Sequence, residues 1–163
     1  MIAKKVCMIG AFSVGKSALV ERFVNSMFSD RYLSTVGVKI SKKVVKLDGD
    51  ELTVVLWDME GKDDFADVNM SYLRGAMGFF VVADGTRKET LSMALHLRKL
   101  ALETAGEVPY VLLVNKADLH WDIPEDQLAA LEASGIPVIR TSAKTGQAVE
   151  EAFLSLARAM MKG

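Results

Sequence analysis

Short apolar runs alternate along the chain with longer segments whose apolar residues recur every three or four positions. VCMIG, Val6 to Gly10, is an uncharged run of strand length. Such a run predicts a strand buried on both faces. Leu19, Val20 and Phe23 then fall at helical spacing and predict a helix over Lys16 to Ser26. Val38 to Leu47 and Leu52 to Trp57 read as two strands joined through LDGDEL, where Asp48-Gly49 marks the tight turn of a hairpin. A short helix is expected over Val68 to Arg74. GFFVVAD, Gly78 to Asp84, and YVLLVNK, Tyr110 to Lys116, read as buried strands with a helix over Leu91 to Ala105 between them. Pro124 suits the start of a helix reaching about Ala133. PVIRTSA supplies a last strand and Ala148 to Met161 a last helix.

Apolar strands separated by helices imply an α/β fold, a mostly parallel sheet covered on both faces. The hairpin adds one antiparallel strand. Its lysines, Lys39, Lys42, Lys43 and Lys46, suit an edge, where charge blocks unwanted strand pairing. An exposed edge can also recruit a partner. Ligands of open α/β sheets gather at the carboxyl ends of the strands, so the chemistry is expected there.

The 163 residues fit one domain, 1–163, with a sizeable core. Net charge is −1, so no global field draws the chain to nucleic acid or an acidic membrane. The single cysteine, Cys7, lies in an apolar run. It reads as a small buried hydrophobe and allows no internal disulfide, which suits a reducing cytoplasm. The N-terminal apolar stretch is too short for a signal peptide or a membrane span. Ile2 is no acceptor for myristate and AMMKG no acceptor for a prenyl group. No direct membrane anchor is therefore expected in this chain.

GAFSVGKS, Gly10 to Ser17, fits the G-x-x-x-x-G-K-[ST] pattern between a strand and a helix. Its glycines let successive N–H groups of Ser13, Val14, Gly15 and Ala18 turn toward one point, and the helix N-terminus adds positive potential. Lys16 can reach β- and γ-phosphate oxygens, and the Ser17 hydroxyl can bind Mg²⁺. This motif alone does not choose the base. NKAD, Asn115 to Asp118, ends a later strand. An ionised Asp118 is an acceptor only, and guanine offers it two adjacent donors where adenine offers none. A buried carboxylate facing adenine would be left unpaired, at about 1–3 kcal/mol or more. Asn115 can tie this loop to the phosphate loop, and the Lys116 stem can cover the base. TSAK, Thr141 to Lys144, follows the last strand, and the Ala143 N–H can donate to the guanine carbonyl. Each short match is weak alone; three in order, each at a strand's carboxyl end, are specific.

Over nearly its whole length the chain resembles the Ras superfamily of small GTPases, most closely the Rab-like branch. GAFSVGKS is similar to the P-loop, YLSTVGV (Tyr32 to Val38) to switch I, and WDMEG to the end of the third strand before switch II. KKVVKLDGDELTVVLWD is similar to the interswitch hairpin, and SYLRGAMGFFVVAD, NKAD and TSAKTGQAVEEAF are similarly close. The resemblance implies a six-stranded sheet with about five helices, Mg²⁺, and a cycle between GTP and GDP read by protein effectors and regulators. By matched position, Thr35 would join Ser17 and Asp58 at Mg²⁺, and Thr35 and Gly61 would meet the γ-phosphate through their N–H groups. Phe28, by itself an apolar anchor, would pack against the guanine, with Leu119, Ser142 and Lys144 around it. Loss of the γ-phosphate would relax both switch loops and release partners. A chain without a lipid-modified tail is compatible with a bacterial member.

Three positions depart from that family. Lys62 stands where Gln usually orients the attacking water. An ammonium donates but cannot accept, so Lys62 can stabilise developing charge without aligning water, or is a solvated switch residue. Glu60 replaces a usual Ala; it can accept from a water or pair with Lys62. Phe12 replaces a small residue beside the γ-phosphate, where it can exclude a partner's arginine, displace the water, or point outward. Arg31 reads as a surface arginine or an internal finger. Two readings follow: a switch that hydrolyses GTP slowly, with Lys62, Glu60, Gly61, Lys16 and Thr35 as its catalytic candidates, or a GTP-locked interaction module. His96, His120, Trp121 and the nine methionines read as surface or packing residues.

Overall fold

The computed structural model describes residues 2–11, 13–25, 38–59 and 70–162. Its elements run β1 (Ile2–Gly10), α1 (Lys16–Asn25), β2 (Val38–Leu47), β3 (Asp50–Met59), a 3-10 turn (Met70–Leu73), β4 (Gly78–Asp84), α2 (Glu89–Ala105), β5 (Tyr110–Asn115), α3 (Glu125–Ala133), β6 (Val138–Arg140) and α4 (Val149–Lys162). The six strands form one sheet in the order β2-β3-β1-β4-β5-β6. Only β2 runs antiparallel to its neighbour; every other pairing is parallel.

Two expectations are corrected. Four α-helices are present among the described residues, where about five are expected. The helix expected over Val68 to Arg74 is a single 3-10 turn in its described part. Arg74 N bonds to Ser71 O and Ala76 N to Leu73 O, both at three-residue spacing. Gly75 then adopts φ +81°, a left-handed conformation that ends the turn. Strand ends also run longer than hydrophobicity alone predicts. β1 starts at Ile2 because Ile2 pairs with Leu52, and β3 reaches Met59 because Val38 pairs opposite it.

Alternation within the central strands sorts their side chains onto two faces. Val6, Met8, Phe80, Val82 and Leu113 face α1 and α4, with Leu19, Phe23, Phe153 and Leu156. Cys7, Ile9, Phe79, Val81 and Leu112 face α2 and α3, with Leu91, Leu97 and Leu128. Phe153 joins the first core: its ring stacks on Phe23 with centroids 4.0 Å apart and tilts against Phe80 at 4.7 Å. Cys7 is fully buried, and its Sγ lies 3.6 Å from the Tyr72 carbonyl. Burial pushes its thiol up to about 11, against the opposing pull of Lys5. At the sheet's edge, Val45 and Leu47 of β2 are buried, while Ile40 and Val44 are 51% and 46% exposed.

The parallel register carries the strand ends to one rim. Asp58 lies beside Met8, Gly10 beside Val82, and Asp84 beside Asn115. Residues far apart in sequence thus meet where the apolar strands stop.

Truncating Phe153 to Ala removes a ring shared by α1, α4 and β4. Urea unfolding should show a loss of about 3–5 kcal/mol, with the slope on denaturant unchanged.

Candidate functional site

The loop after β1 curls because two residues adopt left-handed conformations, Ser13 at φ +61° and Gly15 at φ +99°. Gly15 is also required by space, since a Cβ there would stand 2.2 Å from Asn115 Nδ2. The loop feeds directly into α1, whose first turn carries no acidic residue to cancel the dipole. Val14 and Lys16 are buried, and Ser17 and Ala18 partly so. Lys16 Nζ folds back to donate to Ala11 O at 3.1 Å and Gly10 O at 3.3 Å. Burial pushes this lysine down to about 8; nearby Asp58 pulls it back up, and Arg87 lowers it further.

Asn115 binds this loop to the other end of the site. Its Nδ2 donates to Val14 O at 3.1 Å. Its Oδ1 accepts from Thr141 Oγ1 and from Ala143 N, each at 3.2 Å. The Ala143 N–H, expected to face a base, is thus engaged by Asn115, and a base carbonyl would have to compete for it. Asp118 sits at the exposed mouth, where Ser142 Oγ donates to its Oδ1 at 2.7 Å. Leu119 beside it is 51% exposed. Arg22 reaches across from α1: its Nε donates to Ala143 O at 2.8 Å, and its Nη2 donates to Lys144 O.

Lys116 holds φ +71°. Its Nζ pairs with Asp84 Oδ2 at 2.7 Å and donates to Ser13 O at 3.3 Å. Asp84 has no solvent exposure. Its Oδ1 accepts from Thr86 N at 2.8 Å and Thr86 Oγ1 at 2.7 Å, and its Oδ2 also accepts from Arg87 Nε at 3.0 Å. Burial alone would raise this carboxyl. The bonds from Lys116, Thr86 and Arg87 outweigh burial and hold it below the usual carboxylate range. Sequence reasoning missed both Asp84 and Arg22. The available signal for Asp84 is an aspartate closing an otherwise wholly apolar strand; Arg22 has no comparable signal.

At the opposite side Ser17 Oγ donates to Asp58 Oδ2 at 2.5 Å, and Asp58 is 1% exposed. A hydroxyl and a carboxylate converging at a phosphate-type loop form the sparse oxygen set that suits Mg²⁺, which draws its remaining ligands from phosphate and water. Among the described residues no cluster of three His, Cys, Asp or Glu could hold a metal by itself. Phe12, Phe28, Arg31, Thr35, Glu60, Gly61 and Lys62 lie outside the described residues. The structure therefore brings Ser13 to Ala18, Asp58, Asn115 to Leu119 and Ser142 to Lys144 to one rim.

The family model described as Ras family matches residues 5–162.

Replacing Asp84 by Asn leaves Lys116 and Arg87 facing a neutral amide. Urea unfolding at pH 7 should show a loss of about 2 kcal/mol. The depressed carboxyl makes a stability contribution that is complete above the unfolded value of about 4. That contribution disappears as pH falls below this value, so the gap between wild type and variant should narrow in acid.

Proposed function

The chain belongs to the Ras family, and from that membership we propose that it is a Rab-like guanine-nucleotide switch that holds Mg²⁺ with GTP or GDP and hydrolyses GTP slowly. Members of the family bind guanine nucleotides and are GTPases. The observation that carries the reading for this chain is the Asn115 side chain, which joins Val14 of the phosphate loop to Thr141 and Ala143 of the last loop. One triphosphate spanning the rim would have its phosphates at Ser13 to Ala18 and its base between Lys116, Asp118 and Ser142 to Lys144.

Asp118 then serves as the selector, accepting the ring N–H and the exocyclic amine of guanine. Ser142 holds that carboxylate in place. Lys16 is a buried cation beside the loop carbonyls, available to phosphate oxygens. Mg²⁺, when bound, supplies charge neutralisation between phosphates, and Ser17, Asp58 and Thr35 are its assigned ligands. Phe28 is assigned to the base, and Thr35 and Gly61 to the γ-phosphate, by position in the family pattern.

The slow rate rests on Lys62. Water attacks the γ-phosphorus as its bond to the β–γ bridging oxygen breaks, GDP leaving with inorganic phosphate as the second product, and an ammonium can stabilise the charge that develops but cannot accept the proton of the water. Glu60, two positions earlier in the sequence, is the acceptor that would serve instead. The same Lys62 favours a second reading, a GTP-locked module with no turnover. Effectors and regulators are assigned to the switch loops and to β2 and β3, where Ile40 pairs opposite Trp57 and the Trp57 ring lies 5.9 Å from Tyr72. A cytoplasmic location is part of the proposal, supported by the buried, unpaired Cys7. No helix among the described residues is long and apolar enough to cross a membrane.

Calorimetry with Mg²⁺ should record uptake of one GDP or one GTP per chain, and no uptake of either refutes the proposal. Single-turnover assays at excess protein should then show slow phosphate release; GTP retained intact over many hours selects the locked module. Asp118→Asn should shift preference from GTP toward xanthosine triphosphate by about 10²-fold or more, read by competition binding. An unchanged preference rules out Asp118 as the selector.

A further inference from the structure

We propose that Trp121 is a positioning residue for the base-recognition loop, and that its indole N–H sets how long guanine nucleotide stays bound. The inference rests on the guanine-nucleotide reading above. The turn that carries Asp118 leaves β5 through Lys116, a non-glycine residue at φ +71°. Left-handed backbone at such a residue persists only where its surroundings hold it. The Lys116 carbonyl is the anchor of the turn. It accepts from Leu119 N at 3.0 Å and from Trp121 Nε1 at 2.7 Å, the shorter of the two bonds. The side chains of Leu119 and His120 are exposed and give the turn little packing.

Trp121 is in turn held from below. Its ring lies over Gly85, where an added Cβ would come within 2.3 Å of the indole. Gly85 N donates to Asn115 O at 3.0 Å, and Gly85 O accepts from Asp122 N at 2.8 Å. The chain therefore closes a loop: Asn115 fixes Gly85, Gly85 seats Trp121, and Trp121 fixes the peptide of Lys116. Ala117 N completes the frame by donating to Thr141 O at 2.9 Å. A phenyl ring at position 121 would keep the seat on Gly85 and lose only the donor. Lys116 would then hold its strained conformation with one bond fewer, and Asp118 and the Lys116 stem would sample more orientations around the base.

The test compares wild type with Trp121→Phe. Release of a fluorescent GDP and of a fluorescent non-hydrolysable GTP analogue is measured by displacement with excess unlabelled nucleotide. Loss of one hydrogen bond predicts release about 3- to 10-fold faster. The factor should be the same for both nucleotides, because the base end is common to them. The melting temperature of nucleotide-free protein should stay within a few degrees of wild type. Gly85→Ala, which drives a methyl into the indole, should speed release at least as much. Unchanged release rates from Trp121→Phe overturn the inference while leaving nucleotide binding intact. So does acceleration confined to the GTP analogue, which would locate the effect at the phosphates. So does a matching collapse of nucleotide-free stability, which would make Trp121 a packing residue. Wild-type protein that takes up no guanine nucleotide refutes the functional reading itself, and this inference with it.

Discussion

The site hangs on a single primary amide. A carboxamide offers both donors and an acceptor, and Asn115 uses both kinds at once: it donates to Val14 O and accepts from Thr141 and Ala143. No charged side chain could do both. Because Asn115 is 2% exposed, its bonds form in a poorly screened interior where an unmet partner is expensive. The glycine at position 15 follows from the same constraint, since the amide fills the volume a side chain would need.

Sheet geometry makes such a junction possible. Parallel strands deliver their carboxyl ends to one side, and the register sets Asp84 level with Asn115 and Asp58 level with Met8. The two apolar cores fix this arrangement from both faces, and Val14 and Ala143 carry the rim into the first of them, so the polar rim residues inherit rigidity from that packing. A second polar knot around Asp84 adds to it. That buried carboxylate satisfies Lys116, Arg87 and Thr86 together. A buried charge paired on several sides escapes the penalty that makes isolated ones rare.

Much of the architecture was readable beforehand because two periodicities rarely conflict here. The wholly apolar runs Val6 to Gly10 and Gly78 to Ala83 admit a central strand and little else, and Asp48-Gly49 admits a tight turn. The phosphate and base loops were readable because their glycines and polar residues have narrow geometric uses. What stayed hidden depends on partners remote in sequence. Strand ends such as Met59 are set by the opposite strand. The segment Met70 to Leu73 carries apolar residues at helical spacing, yet Gly75 stops it after one turn. Asp84, Arg22 and Trp121 gained meaning only once folding placed Lys116, Ala143 and Gly85 beside them. Trp121 reads as packing in sequence, and its ring does pack, but the indole N–H is spoken for by Lys116.

The interior position of Cys7 has a practical side. Thiol reagents attack through the thiolate, and this sulfur is both fully enclosed and held near 11. These 163 residues are therefore already a silent background for site-directed labelling. A reporter thiol introduced on the exposed faces of α2 or α4 would react alone at neutral pH, with no need to remove the native one and disturb the strand it helps to pack.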